Sequence, residues 1–528
     1  MRREGESPGI IRWIGLFAGP IVAGILYLTL PSEGLSHAGR MTLAAGAWLA
    51  IWWLTEALPI EATALAPLAL FPVLGVSTMK ATAAPYAEEV IFLFLGGLLL
   101  GAAMERWGLH RRLALWTMLA VGTRPRRLVA GAMLAAALLS MWVSNTATAV
   151  MMLPIGMSVT ALVAHRLRSG DDHGDRSARN FGKCMMLGIA YAATIGGIAT
   201  VIGTPPNTVA ASFIRQHYGL DLGFAGWLKI GLPLMLVFLP ATWFVLVGVV
   251  YRFRSPDIPG VRALIRAELD TLGPMSRGEI ATLAVFVCAA VAWVVRVPLS
   301  DALFPRLDRN HPVLTDSGIA IFASLALFLI PVDRKRGVFV LDWATASRIP
   351  WGVLLLFGGG LTLAAAISAN GVDTFIGARF HGLAGVHPFL IVLILTTIVV
   401  FTTEVGSNTA VVNIFLPICA AAAPVLGVHP FLLILPTAIS ASYAFMMPMG
   451  TPPNALVFAS GHLRIIDMAK AGLILNLLSI ALISCFMYLA APRLLGFERD
   501  GRLERVAPAS APKAPSAPPA SPPAPPPR

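Results

Sequence analysis

The sequence predicts an all-α polytopic membrane protein with about eleven transmembrane helices, two re-entrant helical hairpins and an inverted-topology repeat. Three observations carry that reading. First, 57% of the 528 residues are hydrophobic and only 12% are charged, about half the charge density of a soluble domain. Second, the apolar residues run in continuous blocks of roughly 17 to 25, the length of a helix that crosses a bilayer, and not in the alternation of a barrel. Third, two blocks are too long for one crossing, carry a polar tripeptide near the middle, and repeat each other at a fixed spacing.

Taken in chain order, residues 1–10 form a short basic start, MRREGESPGI. No small-residue cleavage site follows the first apolar block, so 11–30 is expected to stay as the first helix. Further single-helix blocks are expected near 42–57, 61–76 and 89–104, then 228–251, 279–299, 314–332, 350–368 and 469–492. The blocks 184–214 and 430–460 are interrupted by prolines. The long blocks 128–164 and 386–426 are expected to turn back as hairpins with polar tips. From residue 507 to the end ten of 22 residues are proline, so the tail 493–528 is read as a disordered extension.

The net charge of +12 would suggest a nucleic-acid partner in a soluble protein. Here the basic residues sit in short loops, where they set topology. Arg106, Arg111, Arg112, Arg124, Arg126 and Arg127 precede the first hairpin; Arg166, Arg168, Arg176, Arg179 and Lys183 follow it. Both flanks therefore read as cytoplasmic. Arg252, Arg254, Arg262, Arg266, Arg334, Lys335 and Arg336 fall on the same side by count, whereas the second hairpin is flanked only by Arg379, Asp373 and His381 and is expected to enter from outside. The N-terminus is then cytoplasmic and the C-terminus external, in the cell inner membrane. Cys184, Cys288, Cys419 and Cys485 form no CxxC pair and read as packing residues.

The repeat is the strongest signal. FLGGLLL from Phe94 matches FGGGLTL from Phe357, Gly108 matches Gly371, and SNTATAVMMLP from Ser144 matches SNTAVVNIFLP from Ser407, all 263 positions apart. Five crossings separate the matched helices, and an odd number inverts the second half relative to the first, the usual build of a secondary transporter. A second motif recurs 247 positions apart: IGTPPNTV from Ile202 and MGTPPNALV from Met449. Two prolines inside a spanning segment break the helix and free carbonyls such as those of Gly203 and Gly450. At membrane depth this is tolerated only where the backbone is buried or lines a cavity.

Four broken segments supply hard oxygen ligands for a cation and half-helix N-termini for an anion. Ser140 and Thr403, one turn before each tripeptide, also match at 263, which suggests two equivalent cation sites. Across 128–164, 184–214, 386–426 and 430–460 the only charged residue is Glu404. A polyvalent anion bound there has no fixed basic partner, and co-bound cations would balance it. Moving a dianion inward against 100 mV costs roughly 4.6 kcal/mol, so two sodium ions only cancel its charge and a third makes transport electrogenic. Glu404 has no charged mirror and reads as a structural brace. A lone SNT or PPN is a weak signal and a single broken helix is commonly only a kink; duplication of both in register is what points to a site.

Taken together, Trp53 to Val76 (WLTEALPIEATALAPLALFPVLGV), the two SNT hairpins, the two TPPN breaks and Leu341 to Gly360 resemble the divalent anion/sodium symporter (DASS) family of sodium-coupled dicarboxylate, citrate and sulfate transporters. The resemblance implies a homodimer in which a scaffold holds a transport domain that moves as an elevator. Residues 11–127 and 228–385 would be scaffold, 128–227 and 386–492 transport domain. It implies a first sodium site at Ser140, Ser144, Asn145 and the Gly203 carbonyl, and a second at Thr403, Ser407, Asn408 and the Gly450 carbonyl. Substrate carboxylates would meet Asn145, Thr146, Asn408 and Thr409, closed over by the turns Thr204, Pro205, Pro206 and Thr451, Pro452, Pro453, with Asn207 and Asn454 structural. Sodium-coupled uptake of succinate, malate or fumarate is the expected function, without a cofactor. Citrate, sulfate or sodium-independent exchange are the alternatives within the class, and a re-entrant channel lies outside it. With no GxSxG, no HExxH and no pair of intramembrane aspartates, an enzyme is not expected.

Overall fold

The computed structural model describes residues 10–31, 34–167, 172–253, 260–303, 313–383, 385–501 and 503. The basic start 1–9, Arg168, Arg254 and the proline-rich tail lie outside the described residues. The described residues are mostly helical, with one two-stranded ribbon among them pairing Pro331–Asp333 with Val338–Phe339. Large apolar side chains stand exposed along many helices, among them Val73 (84%), Phe322 (78%) and Leu329 (74%). Faces of that kind are stable against hydrocarbon, not water.

Among the described residues seven helices are long and apolar enough to cross a bilayer, and nine if two bent pairs each count as one span. The expected eleven includes segments that do not persist as single helices. The 61–76 block is broken into Ile60–Thr63 and Ala66–Val73, with Pro67 and Pro72 inside it. The 430–460 block divides at its expected proline break into Phe431–Ser440 and Pro452–Ala459, with eleven non-helical residues between. The polar stretch 166–183 was expected to be a loop. Instead the helices Asn145–Leu167 and Asp172–Gly197 run into it. Cys184 and Cys419 are buried, but Cys288 and Cys485 are exposed on their helices and do not pack in the core. The start of the tail is folded: Phe497 stacks on the His429 ring at 4.3 Å, and His429 donates its backbone N–H to Arg499 C=O at 2.7 Å.

The two halves share their punctuation. Helix Glu89–Arg106 is followed by Gly108 in the left-handed region (φ +69°), then by helix Leu109–Val121. Helix Trp351–Ala369 is followed by Gly371, also at φ +69°, then by Val372–Gly377. A residue without Cβ is needed at both turns. Each hairpin opens with proline at its first helical position, Pro125 or Pro388, where the missing N–H costs nothing. The first arms Pro125–Ser140 and Pro388–Thr403 have 16 residues each, about 24 Å of helix, too short for the roughly 30 Å hydrocarbon layer. Each therefore ends inside and turns back.

The centre of the molecule is the helix Asp172–Gly197, fully buried from Cys184 through Ala193. It lies against both arms of the first hairpin and against Pro452–Ala459 of the second half. Reciprocally, Pro205–Tyr218 of the first half packs on Asn408–Leu426 and Phe431–Ser440. The half-helix after each TPP break thus seats on the other half's hairpin arm.

Candidate functional site

In the first hairpin the helix stops at Ser140, the chain turns through 141–144, and helix resumes at Asn145. In the second it stops at Thr403 and resumes at Asn408, 263 positions on at both ends. Ser140 Oγ donates to Asn145 Oδ1 at 2.7 Å, and Thr403 Oγ1 donates to Asn408 Oδ1 at 2.7 Å. Ser140 and Thr403 are fully buried, whereas Asn145 and Asn408 are half-buried. Each tip thus presents two hard oxygens side by side, the donor type a sodium ion takes.

The TPPN breaks are built alike. Asn207 donates Nδ2 to the carbonyls of Gly197 (3.1 Å) and Thr200 (2.8 Å). Asn454 donates Nδ2 to Ala444 (2.9 Å) and Met447 (3.1 Å), every position shifted by 247. These bonds clamp the unwound backbone left by Gly197 and Ser440 until helix restarts at Pro205 and Pro452. Both asparagines are fully buried, and in both the amide oxygen has no hydrogen-bond partner among the described residues. Thr204 and Thr451 are buried N-caps; Thr451 Oγ1 accepts from Asn454 N at 3.4 Å, and Thr204 makes no side-chain cap.

Tip and break meet within each half. A Cβ on Gly197 would stand 2.4 Å from Asn145 Oδ1, and a Cβ on Gly203 would stand 2.4 Å from Gly197 O. Thr200 donates Oγ1 to Met141 O at 2.5 Å. Ser140, Asn145, Gly197 and Gly203 are therefore contiguous. In the second half Thr403 Oγ1 also lies 2.6 Å from Ala441 O, which competes with Asn408 Oδ1 for the one hydroxyl proton. Glu404, the mirror of Met141, accepts from the N–H groups of Phe445 (2.8 Å), Met446 (2.9 Å) and Met447 (3.0 Å) and from Asn476 Nδ2 (2.7 Å). A Cβ on Gly450 would lie 3.2 Å from Glu404 Oε2. No cation pairs with Glu404 among the described residues, and four donors hold it instead.

The expected site residues divide by exposure. Ser144 and Thr146 are exposed, and Ser144 Oγ accepts from Ala147 N at 3.3 Å. Ser407 is half-buried and Thr409 buried. Pro206 and Pro453 are buried, while Pro205 is half-buried and Pro452 exposed. No hydrogen bond joins one hairpin tip to the other among the described residues. A cavity of about 300 Å³ lies elsewhere, between His110, Leu115, Ile265 and the arm residues Met151, Pro154 and Ser158.

Sequence reasoning missed Gly197, Thr200 and Asn476. Gly197 and Thr200 sit within ten residues of the motif but outside it. Asn476 was legible as a lone amide in the apolar run LILNLLSI. Asn413 was also missed: it is 3% exposed, five residues past Asn408, with neither amide atom partnered among the described residues.

A duplicated hairpin and broken helix, with polar tips set inside an apolar bundle on the buried hydroxyls Ser140 and Thr403, define a secondary membrane transporter rather than an enzyme. The chain belongs to the sodium:sulfate symporter family, whose transmembrane region matches residues 11–492. It is 40% identical to a sodium-dependent dicarboxylate transporter, SdcS, of Staphylococcus saprophyticus over 94% of this chain and 95% of that one. It is also 40% identical to SdcS of Staphylococcus aureus, over 92% of each chain. Among solved structures, the YdaH transporter of Alcanivorax borkumensis shares the fold at TM-score 0.54 and 16% identity, covering 85% of this chain and 98% of that one.

Proposed function

We propose that this protein couples the inward flow of sodium to uptake of a C4-dicarboxylate such as succinate, malate or fumarate. The carrying observation is the duplicated pair of tip oxygens, Ser140 with Asn145 and Thr403 with Asn408, each set against a proline-broken backbone. Two such oxygen sets suit two sodium ions. The freed N–H groups and amides of Asn145, Thr146, Asn408 and Thr409 suit two carboxylates. With no Lys, Arg or Asp in the four segments, co-bound sodium supplies the positive charge that a dianion requires. The substrate site then forms only when the cations are present, which is coupling. The SdcS relatives, named as sodium-dependent dicarboxylate transporters, support the substrate class.

In this reading the protein sits in the inner membrane with its N-terminus cytoplasmic. It works as a homodimer whose segments 128–227 and 386–492 move as an elevator against the rest. Uptake of labelled succinate into proteoliposomes tests the proposal. A sodium gradient is expected to drive accumulation. Equal rates with and without sodium sink the coupling, and uptake of sulfate or citrate in place of any C4-dicarboxylate sinks the substrate assignment.

A further inference from the structure

The two hairpins are equivalent in sequence but not in environment. Along the second arm of the first hairpin, Thr146, Val150 and Met157 lie on one face, spaced by four and seven residues. All three are exposed, Val150 at 50% and Met157 at 39%. Their mirrors 263 positions later, Thr409, Asn413 and Ala420, are 7%, 3% and 1% exposed. The same stripe is open in one half and closed in the other.

Asn413 is the misfit in the closed stripe. Its carboxamide presses on helix Trp351–Ala369 where Gly360 offers no side chain: a Cβ there would stand 2.2 Å from Asn413 Oδ1. Neither Nδ2 nor Oδ1 has a partner among the described residues. A buried amide without partners is strongly unfavourable, whereas the same group in contact with water is satisfied. Valine, which stands at the mirror position 150, would fill the place without that penalty.

In a transporter built from inverted repeats, exchanging the environments of the halves describes the opposite state. We propose that Asn413 is a state-setting residue: buried and unpartnered here, exposed and hydrated in the opposite conformation, it biases the transporter away from this state and keeps both states populated. The proposal rests on the alternating-access reading above. It predicts that Asn413→Val, which places the same residue at both mirror positions 150 and 413, raises the population of this state about tenfold relative to the opposite one, the scale of one unpartnered buried amide.

The test uses Val150→Cys in the full chain with Cys288 and Cys485, both exposed, replaced by serine. Maleimide labelling of the new thiol in proteoliposomes reads how often the first stripe is open. Asn413→Val, and Asn413→Leu as a second apolar variant, are each expected to speed labelling in proportion to the larger fraction of this state, about twofold where the two states start equally populated, raise the melting temperature and slow succinate uptake. Unchanged labelling, or a lower melting temperature in both variants, overturns the proposal, since a merely packed asparagine would lose stability on replacement. Labelling that ignores sodium and succinate altogether overturns the alternating-access reading instead, so the two failures are distinguishable.

Discussion

Asn476 donates its Nδ2 to Glu404 Oε1 across 2.7 Å, joining the last long helix to the tip of the second hairpin. Three backbone N–H groups of the unwound segment reach the same carboxylate. Glu404 thereby satisfies donors that the break at 441–451 would otherwise leave buried; at the mirrored place in the first half the Met141 carbonyl instead accepts from Thr200 Oγ1. Glu404→Gln is expected to destabilise the protein by about 1–3 kcal/mol, because its NH₂ group faces at least one N–H donor. Thermal melting in detergent checks this. A variant that melts normally but changes the number of sodium ions moved per substrate would make Glu404 a coupling carboxylate instead.

Ser140 and Thr403 carry the second prediction. Each is fully buried and contributes one hydroxyl oxygen beside an asparagine oxygen. Ser140→Ala and Thr403→Val remove that oxygen and leave the asparagine in place. Each should raise the sodium concentration for half-maximal uptake about tenfold, the equivalent of about 1.4 kcal/mol, with a smaller effect on the succinate concentration needed at saturating sodium. Equal effects on both ligands would place these hydroxyls in the substrate site.

Most of this architecture was legible in the chain because duplication is a pattern that needs no structure to detect. Gly108 with Gly371, Pro125 with Pro388, and the SNT and TPPN motifs all fall at equivalent turns, since each solves a local backbone problem that only glycine, proline or a short polar side chain solves. The helix count was less legible. Apolar content fixes what lies in the membrane, but a block such as 61–76 reads as one helix although it is broken into Ile60–Thr63 and Ala66–Val73. The ribbon at 331–339 gave no strand signal beyond its charged turn Arg334 to Arg336. Glu404's four donors and the isolation of Asn413 depend on contacts across 40 or more residues, which no local pattern encodes.

Asp342 supplies a prediction in pH. It precedes the short helix Trp343–Ala346, accepts Thr345 N–H at 2.8 Å and pairs with Arg106 at 2.6 Å. The Thr345 N–H bond, then the Arg106 charge, hold its carboxyl below the usual range. A depressed acid stabilises the folded state above its unfolded pKa of about 3.9, and that contribution disappears as pH falls through the lower folded value. Asp342→Asn should therefore lower the melting temperature at pH 7 and at pH 5 alike, with the difference from the unsubstituted protein beginning to shrink only below about pH 4 and vanishing as pH falls through the lower folded value. Because the side chain is half exposed, the effect is expected to be small and to shrink in high salt.

Gly197 separates a structural from a chemical role for the first tip. Its Cα faces Asn145 so closely that any Cβ would fall 2.4 Å from the amide oxygen, far inside contact distance. In the second half the equivalent position is Ala444, which tolerates a methyl group and is fully buried. The first tip is thus the tighter one, and Gly197→Ala must push Asn145 out of the geometry in which it meets Ser140. The expected result is loss of most sodium-driven uptake, by tenfold or more, with a modest change in melting temperature because Asn145 is half-buried and can move outward. Gly24→Ala, on a helix where nothing lies within 4 Å of the new Cβ, is the control and should leave uptake and melting unchanged. If Gly197→Ala transports like the control, the Ser140–Asn145 pair is not part of the transport site, and the duplicated tips would have to be read as hairpin closures alone.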